Sequence, residues 1–327
     1  LGPVLLPEFR DPGAGRMDLL SAGLSLAAVL AVIYGLKQAA QDGLGWLPAL
    51  AVAAGLALGI VFVRRQRRLA DPLIDLRLFR VPAFTVSLVT YLLATFVAFA
   101  AFLFIFQYLQ LVLGLSPLEA ALWTVPSFGA FIVGAMLTPL ILRRVRPAFV
   151  MGGGLALAAA GYALLAQVDG DSALAVVVVA SVVFSLGEAP VFTLATDLIV
   201  GAAPPERAGA ASAISETSSE LGGAFGIAIL GSLGMALYRG RVADAIPPGV
   251  PPEAAEAARD TLGGAVVAGE GLPDPLAAEL LEGARDAFAQ GLQLAAVTSA
   301  VLAVATAVVA AVLLRRVRVS PSAPEGA

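Results

Sequence analysis

The chain has 327 residues, of which 59% are hydrophobic and only 13% are charged, and its mean hydropathy is +0.90. Soluble globular domains contain about 25% charged residues, so this composition excludes a soluble protein. The sequence also contains no cysteine and no histidine. Thiolate chemistry, zinc sites built from these ligands and the usual side-chain base near neutral pH are therefore excluded. We expect neither a metal nor a cofactor, and any proton transfer must use carboxylates.

Eight apolar runs are long enough to cross a bilayer, which takes about 20 helical residues. In chain order, which also numbers the spans, they lie at about Leu19–Gly35, Trp46–Val63, Phe84–Phe106, Ala120–Leu142, Phe149–Ala166, Ala173–Val200, Ala210–Tyr238 and Phe288–Leu314. We predict an all-α integral membrane protein with eight transmembrane helices. The lipid bilayer is then its first partner, and a nucleic-acid partner is not expected.

Basic residues indicate how the spans are oriented. Most of the 20 Lys and Arg residues lie before the first span or after an even-numbered span. Cytoplasmic loops carry such an excess, so we predict that both termini are cytoplasmic. The predicted organisation is a cytoplasmic loop at 1–18, two spans within 19–63, a basic cytoplasmic loop at 64–80 and a six-helix unit at 81–327. An external loop at 239–286 interrupts that unit.

Two connecting segments carry further signals. The first 18 residues have neither an initiator methionine nor the pattern of a signal peptide, so we expect a loop entered from an upstream segment. The external loop contains two helical patterns, EAAEAARDTL and DPLAAELLEGARDAF. In the second, Asp274 fits an N-cap and Pro275 the first helical position. We predict that this second helix continues into the eighth span.

Glu119 has a structural explanation. In the sequence SPLE, Ser116 fits an N-cap, Pro117 the first helical position and Glu119 the third. This spacing is typical of a capping box, in which the two side chains bond each other's backbone amides. We therefore predict that Glu119 begins the fourth span and has no transport role.

Glu216 and Glu220 lie four residues apart in the seventh span, whose helical pattern begins near PPERAG. At 100° per residue both point to one side of the helix, together with small residues such as Ser219 and Gly223. A carboxylate at membrane depth costs at least about 2.5 kcal/mol, so we expect these two to be buried and to face the protein interior. The alternative is that TSSE forms a capping box at the head of a shorter helix, with both glutamates at the membrane surface.

The sixth span contains two more carboxylates. Asp197 lies near its inner end, where a solvated or Arg-paired interfacial residue is expected. Glu188 lies near the middle of the span, at a depth similar to that of Glu220. If these helices are neighbours, Glu188, Glu216 and Glu220 can meet. Like charges in a poorly solvated cavity favour protonation of at least one of them, which suits a proton-coupled cation carrier.

Several stretches are similar to a known family. They are PLIDLRLFR, YLQLVLGLSPLEAALWTVPSFGAFIVGA and PPERAGAASAISETSSELGGAFGIAILGS. Together with the long outer loop, they resemble the carboxy-terminal portion of fourteen-helix drug:proton antiporters of the major facilitator superfamily. The resemblance implies multidrug efflux across a bacterial cytoplasmic membrane, with protons and a small organic cation as partners. By position, it assigns proton coupling to Glu216 and Glu220.

The resemblance also implies a partial transporter. The first two spans match the extra helices between the family's two halves, and the other six match one half-bundle. The missing partner is then the amino-terminal half, because such folds bind substrate between two halves. Residues expected to line that cavity and bind substrate are Glu188, Tyr91, Thr95 and Phe102, the aromatic ones by cation–π attraction.

Two other functions stay open from the residues alone. One is a non-transporting membrane sensor or assembly module derived from a truncated transporter. The other is a membrane enzyme, which is disfavoured because no pairing of a nucleophile with a base is visible.

Overall fold

The computed structural model describes residues 18–42, 45–69, 72–170, 173–204 and 207–315. Every regular element in these ranges is helical. The α-helices are α1 Leu19–Asp42, α2 Trp46–Gln66, α3 Pro82–Gln107, α4 Pro117–Leu142, α5 Pro147–Leu165, α6 Ala173–Gly201, α7 Ala208–Ala245, α8 Pro252–Asp260, α9 Leu262–Gly269 and α10 Asp274–Leu314. A short 3₁₀ turn at Leu78–Arg80 precedes α3, and a π-helical turn at Tyr108–Val112 follows it.

The predicted spans are confirmed by α1 to α7 and α10, since these eight helices are long and apolar enough to cross a membrane. The Ser116–Glu119 capping box at the start of α4 is present as predicted. The second helical pattern of the long loop does continue into the eighth span, as the 41-residue helix α10. Pro273 is its N-cap, so Asp274 lies one position further into the helix than predicted. Of the predicted loop at 1–18, only Asp18 belongs to the described residues.

Helices α7 and α10 project beyond the bilayer. Their 38 and 41 residues correspond to about 57 and 62 Å of helix, whereas the hydrocarbon core is about 30 Å thick. The two short helices α8 and α9 pack at this projecting end. Their contacts include a 2.7 Å hydrogen bond that the Tyr238 hydroxyl of α7 donates to the Ala258 carbonyl of α8. Helix α9 was not predicted; the Thr261 hydroxyl caps it by accepting a hydrogen bond from the Gly264 amide.

Glycines allow the helices of the six-helix unit to approach closely. A Cβ atom added at Gly226 of α7 would collide with the Phe96 carbonyl oxygen of α3, and one at Gly222 with the Leu92 carbonyl. Packing rather than hydrophobicity drives helix association in lipid, so small residues mark the contact. Gly222 and Gly226 therefore form a close-packing pair against α3.

Polar contacts join neighbouring helix ends on the side of the bundle that the sequence predicts to be cytoplasmic. Arg65 of α2 forms a 3.0 Å ion pair with Asp18, next to α1. Hydrogen bonds from Ser21 and Arg65 lower the pKa of the Asp18 carboxyl. In the 64–80 loop, Asp75 accepts a 2.6 Å hydrogen bond from Arg207, just before α7. This second pair joins the segment that enters α3 to the segment that enters α7.

The α3–α7 contact yields a stability prediction. We expect Gly226→Ala to lower the thermal stability of the purified protein, because the backbone carbonyl of Phe96 cannot give way as a flexible side chain could. Overpacking of this kind costs typically about 1 to 3 kcal/mol. The matched control is Gly240→Ala on the same helix, where an added Cβ meets no atom within 4 Å. Equal melting temperatures for both variants and the parent would contradict the close contact.

Candidate functional site

The two glutamates of α7 lie on the exposed side of the helix. Helix α7 begins at Ala208, so Glu216 and Glu220 are well inside it, at about 12 and 18 Å from its start. The Thr217 hydroxyl donates to the Ala213 carbonyl, as in a helix interior. The alternative in which TSSE caps a shorter helix is therefore wrong.

The expectation that these glutamates are buried is also not met, since both side chains are exposed in this chain. The reason is the rotation of α7. Gly222 and Gly226 face α3, and the Ser218 hydroxyl on the same side lies 3.5 Å from the Leu88 carbonyl. Glu220 is two residues from Gly222, about 200° around the helix, so it points away from α3.

Further along, the same side of α7 packs against α1. Ile227 is seven residues after Glu220, and it lines a crevice of about 380 Å³ together with Ile33 and Lys37 of α1. The first predicted span therefore flanks the acidic side of α7. Glu216 and Glu220 lie nearer the start of α7 than the residues of α7 that line this crevice.

Glu188 lies in a different environment. It is only 3% exposed, and its carboxylate accepts a hydrogen bond from the Tyr162 hydroxyl of α5, which is itself fully buried. The Tyr162 ring stacks on Phe184 of α6. The three carboxylates therefore do not meet, because Glu188 is directed into the α5–α6 contact while Glu216 and Glu220 lie on the surface of α7. Asp197 is exposed near the end of α6.

Two of the three predicted cavity residues on α3 lie partly exposed among aromatic neighbours. Tyr91 contacts Phe192 of α6, with ring centroids 5.2 Å apart. Phe102 stacks on Phe128 of α4 at 5.7 Å and meets the edge of Phe184 at 5.4 Å. Together these contacts join α3, α4 and α6 through aromatic rings.

Thr95 does not line an open surface, contrary to the expectation. It is fully buried, and its hydroxyl donates a 2.9 Å hydrogen bond to the Leu92 carbonyl. An added Cβ at Gly222 would collide with the Thr95 hydroxyl. Its small side chain therefore belongs to the α3–α7 packing.

Sequence reasoning missed the aromatic partners on α4 and α6. Phe131 of α4 meets Phe192 at 5.7 Å, and Phe128 contacts Phe102 as described above. Each is an aromatic residue in an apolar span, where a lipid-facing role is equally consistent with the sequence. Only the packing of α4 beside α6 brings these rings together.

The helical bundle, with eight helices long and apolar enough to cross a membrane, is that of an integral membrane protein. Residues 14–227 match the family model described as Major Facilitator Superfamily. The match covers more than half of the chain, which therefore belongs to this superfamily of transporters. Membership in this superfamily supports the prediction that the chain is not an enzyme.

Curated relatives are drug efflux, export and resistance proteins of bacteria. The chain is 39% identical over 316 residues to the multidrug efflux pump LfrA of Mycolicibacterium smegmatis, covering 97% of this chain and 62% of the pump. It is 32% identical over 336 residues to the tetracenomycin C resistance and export protein of Streptomyces glaucescens, covering 99% of this chain and 61% of that protein. A third relative is the methyl viologen resistance protein SmvA of Salmonella typhimurium, at 30% identity over 84% of this chain and 56% of the relative. The chain thus spans less than two thirds of their length.

A solved structure shares the fold. It is the crystal structure of a bacterial homologue of the human lysosomal transporter Spinster, in an inward-facing and unoccupied conformation. The TM-score is 0.54 at 18% identity, and the match covers 93% of this chain and 71% of that chain. At this identity the likeness concerns the fold alone.

Proposed function

We propose that this chain is part of a proton-coupled transporter that exports lipophilic, cationic compounds across the cytoplasmic membrane of a bacterium. It would form the carboxy-terminal portion of a fourteen-helix antiporter. The observation that carries the proposal is the position of Glu216 and Glu220, two carboxylates exposed on a membrane-spanning helix.

A lipid-facing position for both glutamates is physically unfavourable. Each carboxylate facing hydrocarbon would cost about 2.5 kcal/mol or more, so such residues in membrane proteins face a bundle interior or a water-filled cavity. Helix α10 provides a contrast within the same unit. Its exposed Val297, Val301, Val304 and Val308 form an apolar stripe that suits lipid. We infer that the acidic side of α7 faces an aqueous cavity or helices outside this unit.

The extent of the matches supports such a partial unit. The chain covers 62% of the Mycolicibacterium pump and 61% of the Streptomyces exporter, so the relatives contain further chain. Transporters of this kind bind substrate between two halves and work by moving one half against the other. In the proposal, α3 to α7 and α10 form one half, and α1 and α2 link it to the amino-terminal half.

The proposed mechanism couples a proton to a cation on α7. Glu216 and Glu220 are one helical turn apart, so in a narrow cavity their negative charges repel and favour retention of a proton. An arriving organic cation removes that repulsion and allows the proton to leave. Tyr91 and Phe102, both partly exposed, would hold the apolar and cationic surface of the substrate.

Glu188 would act from behind the aromatic surface. Phe102 contacts Phe184, which stacks on Tyr162, and the Tyr162 hydroxyl bonds Glu188. We propose that Glu188 favours cationic over neutral substrates without carrying the transported proton.

The proposed orientation places both termini in the cytoplasm and α8 outside. The chain contains no native cysteine, which makes single-cysteine labelling direct. In intact cells, a membrane-impermeant maleimide should label Glu256→Cys, which is exposed on α8. Arg144→Cys, exposed between α4 and α5, should react only after permeabilisation. The reverse pattern would overturn the orientation.

Coupling can be tested in a chimera that joins this chain to the part of the Mycolicibacterium pump that it does not match. We expect Glu220→Gln to reduce proton-driven ethidium efflux at least tenfold and to leave membrane insertion intact. The measurements are fluorescence of ethidium-loaded vesicles and proton release reported by a pH-sensitive dye. Asp197→Asn is the matched control, since it also removes one exposed carboxylate. Full efflux in both Glu220→Gln and Glu216→Gln would contradict the coupling role of these glutamates, whereas a folded, unsubstituted chimera without any efflux would favour a sensor or assembly module.

Glu188 is tested by selectivity in the same chimera. We expect Glu188→Gln to raise the apparent KM for a dicationic substrate several-fold while that for a neutral substrate stays unchanged, because the buried charge acts at short range in a low dielectric. Proton exchange driven by a neutral substrate should persist. Equal losses for both substrates would assign Glu188 to packing or to the proton path.

A further inference from the structure

We propose that the end of the bundle where α3 stops and α10 starts contains a separate binding site for organic cations. The site is a pocket of about 710 Å³, here called the Tyr108 pocket. Its lining comes from the π-helical turn that follows α3, the turn between α5 and α6, and the first four turns of α10. In the proposed orientation it opens to the outside, far along the chain from Glu216 and Glu220.

The rim of the pocket is acidic. Four carboxylates line it: those of Asp169, Asp274, Glu282 and Asp286. All four residues are exposed, and none forms an ion pair with another described residue. Arg285 is the single cationic residue in the lining. The pocket therefore has an excess of negative charge, which raises the local concentration of cations.

A second and independent feature is Tyr108 at the base of the pocket. Tyr108 is only 3% exposed, yet its hydroxyl has no hydrogen-bond partner among the described residues. Tyr108 lines the same pocket as Asp169 and Asp286. The hydroxyl oxygen is the accessible part of this otherwise buried side chain, so it is free to bond a ligand or a water molecule in the pocket.

The backbone around Tyr108 departs from a regular α-helix. The Leu113 amide bonds the Tyr108 carbonyl five residues back, which makes a π-helical turn, and Gly114 then ends the helix at a φ of 70°. Arg285 of α10 donates a 3.3 Å hydrogen bond to the Leu111 carbonyl within this turn. Arg285, the cationic residue of the lining, therefore bonds α10 to the turn that follows α3. Single π turns of this kind occur frequently at functional sites.

The chemistry of the lining favours an organic cation over a metal ion. Among the described residues, no group of three acidic side chains is close enough to hold a metal. Apolar side chains, including Val112, Leu113 and Leu281, complete the walls between the carboxylates. The volume is within the range of about 300 to 1,000 Å³ that is typical of small-molecule pockets. An ammonium or pyridinium ligand with an apolar body would match both the charge and the walls.

Binding to purified protein in nanodiscs tests this proposal without any transport step. Ethidium is the probe, and its fluorescence anisotropy reports the Kd. We expect the double variant Asp169→Asn/Asp286→Asn to raise the Kd at least tenfold, and Tyr108→Phe to raise it about three- to tenfold. The matched control is Glu253→Gln/Glu256→Gln, which removes two exposed carboxylates of α8 outside the pocket. Its Kd should equal that of the parent.

Two further measurements separate this site from the proposed transport site. In the Glu216→Gln/Glu220→Gln background the pocket double variant should still raise the ethidium Kd at least tenfold, so a failure of the coupling proposal leaves this one standing. Ethidium should also slow the reaction of an anionic maleimide with Ala278→Cys, an exposed position in the pocket wall. The proposal is overturned if the pocket variants keep the parental Kd, if the α8 control loses affinity equally, or if Ala278→Cys is not protected.

Discussion

The low dielectric of the bilayer is the constraint on which the structure of this chain depends. Every polar group at membrane depth must be bonded, paired or placed in water, because hydrocarbon offers no partner. The chain meets this constraint in two ways. Glu188 is buried against the Tyr162 hydroxyl between α5 and α6, whereas Glu216 and Glu220 remain on an open side of α7. Glu188 has its hydrogen-bond partner within the described chain, whereas Glu216 and Glu220 require a partner or water.

The glycines of α7 determine whether its carboxylates are buried or exposed. Gly222 and Gly226 fit against the Leu92 and Phe96 carbonyls of α3, and this contact fixes the rotation of the whole helix. The acidic side is then directed away from α3. Helix α1 covers only the continuation of that side, where Ile227 and Lys37 line their crevice. The packing that holds the six-helix unit together is thus also the packing that presents Glu216 and Glu220.

Much of the fold could be predicted from the sequence because spans are set by length and apolarity alone. Local signals were equally informative: the SPLE capping box fixed the start of α4, and the DPLAAEL pattern indicated that α10 begins well before its membrane-spanning part. The side on which Glu220 lies could not be obtained in this way. A helical wheel separates small from bulky residues, but in lipid either side can contact a neighbour, and the choice depends on which helix is adjacent. Thr95 illustrates the same limit, since a polar residue expected in a cavity instead fills the gap beside Gly222.

The central claim is that the acidic side of α7 faces water rather than lipid in the assembled transporter. Spin labels at Ala213→Cys, exposed beside Glu216 and Glu220, and at Val308→Cys, on the apolar stripe of α10, test it in the bilayer-embedded chimera. Relaxation by a water-soluble nickel complex and by oxygen should be compared at the two positions. We expect the nickel complex to dominate at Ala213→Cys and oxygen to dominate at Val308→Cys. Oxygen-dominated relaxation at both positions would mean that α7 presents its carboxylates to lipid, and would contradict the account.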